Sequence, residues 1–166
     1  MSATDDILRS YRAPRAVMRG LLARGRSEPW ALSILLAALA VIFVAQWPRL
    51  SRIAHLDPDQ PLTGLMLGTG LAALAALPAF YLLAGASHVI ARAFFGGRGS
   101  FYGARLALFW ALLAASPLML LQGLVAGFIG AGAQLTFVSA AVGVVFAAIW
   151  LAALRVAEFE HPGGGA

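Results

Sequence analysis

An uninterrupted apolar stretch in the second half of the chain limits what this sequence can fold into. No residue between Leu106 and Leu154 carries a charge, a run of 49 residues. One straight helix of that length would measure about 73 Å, more than twice the hydrocarbon thickness of a bilayer. The run must therefore turn back, and the stretch GFIGAGAQ, residues 127–134, supplies the turn residues. We expect two antiparallel membrane spans, near 106–129 and 134–154.

Two further uncharged intervals predict two more spans. Residues 30–47 have a tryptophan at each end, where an indole ring suits a membrane–water interface. The longer interval Gln60–Ala91 is expected to cross at about 63–86 and to continue as a helix to about Phe95. Pro78 predicts a kink inside it. The predicted fold class is an all-α membrane protein, a polytopic bundle of about four transmembrane helices, with five possible.

Composition supports a membrane protein and excludes several functions. Hydrophobic residues make up 61% of the chain and charged residues 11%, which leaves too little polar surface for a soluble domain of this size. The absence of cysteine excludes disulfides, thiolate nucleophiles and cysteine-based metal sites. The basic residues are all arginine and stand beside apolar runs, so we expect no nucleic-acid binding.

The two ends of the chain are predicted to lie outside the bundle. Residues 1–29 are expected to form a basic, amphipathic cytoplasmic arm whose interfacial helix covers about 5–24 and is kinked or split at Pro14. Whether this arm rests on lipid or docks a partner stays open. Residues 155–166 are expected to form a short flexible tail.

Orientation follows from the distribution of arginine. Ten arginines lie in the arm, in the loop after the second span and in the tail, whereas two follow the first span. The positive-inside rule then places both termini in the cytoplasm. Abundant alanine, glycine and arginine without lysine suggest a bacterial inner membrane. The expected basic cytoplasmic surface consists of Arg9, Arg12, Arg15, Arg19, Arg92, Arg98 and Arg105.

The spans offer little chemistry. No carboxylate lies inside the predicted spans, and His88 is placed near an interface. Without acids to relay protons or to support a nucleophile, we expect neither catalysis nor a cofactor. In the first loop, His55, Asp57 and Asp59 are metal-binding residue types, but a fourth ligand is lacking and a solvated loop is favoured.

Two small-xxx-small pairs predict close helix packing. Gly64 and Gly68 form one pair, and Gly123 and Gly127 form the other. Such pairs let helix backbones approach closely. Contact within the bundle is expected first, and contact between protomers is the alternative.

The run GGRGSFYGARLALFWALLAASPLMLL, residues 96–121, resembles the Yip family of membrane proteins, here of bacterial type. The run has the family's glycine-rich loop containing Ser-Phe, followed by a helix and a Ser-Pro step. The matching residues are Gly97, Gly99, Ser100, Phe101, Ser116 and Pro117. The arm RAVMRGLLARGRSEP is also similar to bacterial members. Pro117 is expected to free the carbonyl of Leu113, with Ser116 reorganising the kink.

The resemblance implies a multispan, non-enzymatic protein that acts as a scaffold or adaptor or organises the membrane. Its partners would be the bilayer and other membrane proteins or a second copy. Family members typically have about five spans. The acidic-Tyr-Gly-Pro motif of eukaryotic members, which interact with Rab/Ypt GTPases, is absent, so GTPase binding is not inferred. A small oligomeric transporter or channel, suggested by Pro78 and Pro117, and an accessory subunit of a larger complex remain alternatives.

Overall fold

A computed structural model describes residues 3–160, in which seven α-helices are followed by a five-residue π-helical segment. We call this last piece the C-terminal segment. In chain order the elements are α1 (Ala3–Ser10), α2 (Pro14–Leu22), α3 (Glu28–Leu56), α4 (Leu62–Ala75), α5 (Leu77–Phe95), α6 (Phe101–Phe128), α7 (Ala133–Arg155) and the C-terminal segment (Val156–Glu160).

Four stretches of the described chain are long and apolar enough to cross a membrane. The candidate spans are Glu28–Leu56, Leu62–Phe95, Phe101–Phe128 and Ala133–Glu160. The second combines α4 and α5, and the fourth combines α7 with the C-terminal segment. The predicted fold class, an α-helical membrane bundle with about four spans, is confirmed.

Proline marks the two places where the predicted helices are interrupted. The arm helix is split, because α1 ends at Ser10 and α2 begins at Pro14, where the missing N–H costs nothing. The kink expected at Pro78 is a break at Ala76, with Pro78 in the first turn of α5. In contrast, α3 continues through Pro48 to Leu56, well beyond the predicted end of the first span.

α3 and α6 run side by side in the same direction. Near their starts, Arg105 forms an ion pair with Glu28, with 2.5 Å between Nη2 and Oε1. Further along, the carbonyl oxygen of Ala45 occupies the position that a Cβ at Gly123 would take, and Pro48 does the same at Gly127. The second glycine pair therefore lies where α3 and α6 approach closely, inside the chain.

The first glycine pair lies in a different environment. A Cβ added at Gly68 would meet no atom within 4 Å, and one at Gly64 would meet only Pro61 of the preceding loop, at 3.7 Å. These two glycines therefore do not mediate helix contact within the described chain. The reason is that α4, which carries them, has no buried residue and lies at the edge of the bundle.

The core of the bundle surrounds the first half of α6. Side chains on every face of this half are buried, including Tyr102, Leu106, Phe109 and Trp110. Such burial is possible because helices from the arm, from the first, second and fourth spans and from the C-terminal segment all contact α6. We call this end of the molecule the arm end. The opposite end, where the 57–61 and 129–132 connections lie, is called the hairpin end.

The arm packs directly against the bundle, whereas its sequence predicted a helix lying at the membrane interface. The indole N–H of Trp110 donates to Oγ of Ser10 at 2.9 Å, and both side chains are buried. The hydroxyl of Tyr11 donates to the carbonyl oxygen of Ala114 at 2.8 Å. Burial raises the pKa of the Tyr11 phenol, so it remains a proton donor across the physiological range.

The predicted tail begins inside the folded structure. Arg155 ends α7, and the chain stays helical to Glu160 with Val156, Ala157 and Glu158 buried. Apolar residues after Arg155 explain the difference, because one arginine at a helix end does not stop the next turn from packing. The rest of the predicted tail, 161–166, lies outside the described residues.

Candidate functional site

The glycine-rich loop between α5 and α6 has a conformation that its sequence explains. Gly96 ends α5 with φ +68°, a left-handed conformation that favours glycine, and the N–H of Gly97 donates to the carbonyl of Ala91 at 3.0 Å. Ser100 then begins α6, because its Oγ accepts from the N–H of Gly103 at 3.2 Å. The loop is thus held by a helix cap on each side.

Beneath this loop lies a buried pair of ionisable side chains. Nδ1 of His88 lies 2.7 Å from Oε1 of Glu158, so a proton joins them in a hydrogen bond. The two side chains are 3% and 0% exposed. The other carboxyl oxygen, Oε2 of Glu158, is buried and has no hydrogen-bond partner among the residues that the structure describes.

The glycines of the loop leave just enough room for this carboxyl group. A Cβ at Gly99 would lie 2.8 Å from both Cα and Oε2 of Glu158 and would collide with the backbone of Ala157. A Cβ at Gly97 would lie 3.0 Å from the same oxygen. The N–H of Arg98 also donates to the main-chain carbonyl of Glu158 at 2.8 Å. The loop is therefore fastened to the C-terminal segment.

Phe101 completes the enclosure. Its ring lies against the imidazole of His88, with 4.3 Å between ring centroids. Four of the six residues that carry the Yip resemblance, namely Gly97, Gly99, Ser100 and Phe101, thus enclose or frame one buried pair. We call these four residues, His88 and Glu158 together the loop cluster.

Glu158 was missed by the sequence reasoning. We expected no carboxylate inside the spans, but the fourth candidate span contains the buried carboxyl group of Glu158, because the chain remains helical past Arg155. A signal was present, since Glu158 stands between Ala157 and Phe159 and follows Val156, an apolar setting in which a buried acid needs a polar partner. Its pairing with His88, 70 residues earlier, has no local sequence signature.

The Ser-Pro step lies away from the loop cluster, within α6. Oγ of Ser116 donates to the carbonyl of Leu113 at 2.7 Å. Pro117 cannot supply the N–H that this carbonyl would normally accept. Ser116 therefore satisfies a backbone group that proline leaves free.

The predicted basic surface contains paired and unpaired arginines. Three form ion pairs, namely Arg9 with Asp6, Arg19 with Glu160, and Arg105 with Glu28. The remaining four are exposed and form no ion pair within residues 3–160: Arg12, Arg15, Arg92 and Arg98. We call these four the arginine face. Because the pair of Arg19 and Glu160 ties the arm to the C-terminal segment, part of the basic charge serves internal packing.

The predicted solvated loop lies at the hairpin end. Oδ2 of Asp57 accepts from Nε2 of Gln60 at 2.6 Å, and Oδ1 accepts from the N–H of Asp59 at 3.2 Å. These bonds form a local turn. Searched over residues 3–160, the structure has no group of three or more histidines and acids placed to hold a metal ion.

The loop cluster can hold a proton but has little other chemistry. The imidazole of His88 and the carboxyl group of Glu158 share one hydrogen bond, and Oε2 of Glu158 can accept one further donor. Burial beneath the loop separates the pair from solvent. The arrangement therefore fits a polar clasp between the second and fourth spans better than an open binding pocket.

Four apolar spans, a docked basic arm and a sealed polar clasp at one end define a multi-pass α-helical membrane protein. A family model described as the Yip1 domain matches residues 8–160, from the first arm helix to the C-terminal segment. The chain belongs to the Yip1 domain family. Searches of curated proteins and of solved structures gave no significant match.

Proposed function

We propose that this Yip1-family protein is a non-enzymatic scaffold or adaptor that presents the arginine face of its arm end to an acidic surface on another membrane protein or on a second copy. One observation carries the proposal. The arm, the 96–100 loop and the C-terminal segment are fastened to one another and to the bundle, yet four arginines on these elements and on α5 remain exposed and form no ion pair with any residue between 3 and 160.

Fixed positions matter for recognition. Docking of Ser10 and Tyr11 against α6 holds the arm in place, and the bond from Arg98 to Glu158 holds the loop. A partner that binds these elements therefore does not have to order them first, which lowers the entropic cost of association. Unpaired guanidinium groups at defined positions favour carboxylate-bearing partners.

Crosslinking from one engineered cysteine tests the proposal. The chain has no native cysteine, so Arg98→Cys gives a single attachment point for a photo-crosslinker in native membranes. We expect a crosslinked partner or a crosslinked second copy, reduced when Arg92→Glu is added. His55→Cys, at the hairpin end, is the matched control and should give neither adduct. A protein that crosslinks to nothing from position 98 would contradict the adaptor function.

A bacterial inner-membrane location with cytoplasmic termini is part of the same proposal. The arginine distribution supports it through the positive-inside rule. Cysteines replacing Arg24, Leu56 and Arg98 test it, because all three residues are exposed. With an impermeant reagent applied outside intact cells, position 56 should label, while 24 and 98 should label only after permeabilisation. Labelling of position 24 in intact cells would refute this orientation.

A small transporter is the second candidate, and the loop cluster favours it. Proton-coupled carriers place acids and histidines within their spans, and the second span here is broken at Ala76, 12 residues before the buried His88. Protein reconstituted into liposomes should then move protons or a solute, with Glu158→Gln abolishing the flux. Absence of flux under imposed pH and ion gradients would exclude this candidate and leave adaptor or accessory-subunit roles.

A further inference from the structure

A polar crevice opens at the hairpin end, on the opposite side of the molecule from the loop cluster. It lies between α3, α6 and α7 and has a volume of about 540 Å³. Its polar lining comes from Gln46, Arg49 and Arg52 of α3, Gln122 of α6 and Ser139 of α7. Two other crevices of the bundle are lined almost entirely by apolar side chains. A polar lining beside apolar spans therefore needs an explanation of its own.

Arg52 is held in this crevice by two hydrogen bonds. Its Nη1 donates to the carbonyls of Gly127 and Phe128, at 3.2 and 3.4 Å, and so caps the end of α6. Its guanidinium lies directly against Gly130, where a Cβ would come within 2.8 Å of Nη2. Both hydrogen bonds use Nη1, which leaves the donors on Nη2 and Nε for a ligand.

No carboxylate of the described residues neutralises the positive charge of the crevice. No carboxylate lines it, and neither Arg49 nor Arg52 forms an ion pair within the described chain. Asp57, on the nearby loop, is already bonded to Gln60. Arg49 is exposed and lies one helical turn before Arg52 on the same helix.

Neutral donors lie opposite the two arginines. Nε2 of Gln122 donates to Oγ of Ser139 at 2.8 Å, bridging α6 and α7. Because this hydroxyl accepts from the amide, its own proton remains available to donate toward the crevice. Two guanidinium groups and a hydroxyl, without a competing acid, match an anion with several oxygens.

We propose that this crevice binds a phosphate group, carried either by an anionic lipid headgroup or by a soluble phosphate ester. Guanidinium forks pair with phosphate oxygens through two parallel hydrogen bonds, and the absence of carboxylates removes the main repulsive element. Arg49 and Arg52 supply the charge, and Ser139 supplies a neutral hydrogen bond. In this arrangement Arg52 both caps α6 and binds the ligand, whereas Arg49 serves the ligand alone.

Native mass spectrometry of the full chain in mild detergent tests the site. The probes are phosphatidylglycerol, phosphatidylcholine and glycerol phosphate, added separately at high salt so that general attraction to the basic arm is screened. We expect one tightly bound phosphatidylglycerol, or one glycerol phosphate, with affinity lowered about tenfold or more by Arg49→Gln. Binding of phosphatidylglycerol without binding of glycerol phosphate identifies a site for a lipid headgroup. Binding of glycerol phosphate with the same affinity as phosphatidylglycerol identifies a site for soluble esters.

Two variants keep the test decisive. Arg92→Gln removes an exposed arginine at the arm end and should leave the binding unchanged. Arg52→Lys keeps the charge but loses the fork, and should weaken binding if it folds. The side chain of Arg49 makes no hydrogen bond within residues 3–160, so Arg49→Gln should fold and decides the question alone. Equal affinity of Arg49→Gln and Arg92→Gln, or no bound probe at all, would overturn the proposal and leave Arg52 as a helix cap only.

Discussion

Replacement of Gly99 by alanine should open the loop cluster. The added Cβ would lie 2.8 Å from Cα of Glu158 and would collide with the backbone of Ala157, so no side-chain rotation can relieve it. Overpacking of this kind costs about 1–3 kcal/mol. Separation of the loop from the C-terminal segment would also break the hydrogen bond from Arg98, at about 1 kcal/mol. We therefore expect Gly99→Ala to lower the free energy of unfolding by roughly 2–4 kcal/mol.

Gly96 provides the matched control within the same loop. It has φ +68°, but a Cβ there would meet no atom within 4 Å. Gly96→Ala should therefore cost only the strain of a left-handed alanine, about 1–2 kcal/mol. Gly99 has no positive φ, so its alanine variant reports the steric collision alone.

Two measurements separate local opening from general destabilisation. Denaturant unfolding in detergent micelles gives the free energies of both variants. Val156→Cys, at a buried position in a chain without cysteine, reports exposure of the C-terminal segment to a thiol reagent. In the Gly99→Ala background the cysteine at position 156 should be labelled about tenfold faster or more, because local opening of the C-terminal segment requires less free energy. Equal labelling and equal stability in the Gly96→Ala and Gly99→Ala backgrounds would refute the packing argument.

Three other changes test the fold and the clasp, each by the free energy of unfolding in detergent. Gly123→Ala should destabilise by about 2 kcal/mol or more by forcing α3 away from α6, whereas Gly143→Ala, where a Cβ meets nothing, should be neutral or stabilising. Tyr11→Phe should cost about 1 kcal/mol through the lost bond to Ala114, and no change would mean that the arm is not docked there. Glu158→Ala should cost about 3 kcal/mol or more by leaving a buried imidazole unpaired, and Glu158→Gln about 1 kcal/mol; equal losses would argue against the hydrogen bond.

The distribution of charged residues and the positions of prolines allowed most of the predictions about the fold. Uncharged intervals located all four spans, since a charged residue in hydrocarbon is costly and its absence over about 20 residues is informative. Pro14 and Pro78 located the two helix breaks to within a turn, because the missing N–H acts locally. The helix of the first span continues past the predicted end of the crossing, because Arg49 and Pro48 end an apolar run without ending a helix.

Contacts between distant parts of the chain could not be predicted in the same way. The two glycine pairs have the same spacing, yet only Gly123 and Gly127 lie between helices, because neighbouring helices and not local spacing decide which face is covered. The resemblance to the Yip family identified the glycines of the loop, but not what they enclose. The partner of His88 stands in a segment that charge patterning assigned to a tail.

The polar fastenings of the arm end have a consequence for how the protein is made. Ser10 bonds to a residue 100 positions later, His88 to one 70 positions later, and Arg19 to one 141 positions later. Because synthesis proceeds from the N-terminus, the arm emerges first but cannot dock until α6 has been synthesised. The glycine loop likewise closes only after Glu158 has left the ribosome. A chain interrupted before that point leaves His88 without its carboxyl partner and Arg19 without the ion pair to Glu160, although the arm can already dock on α6.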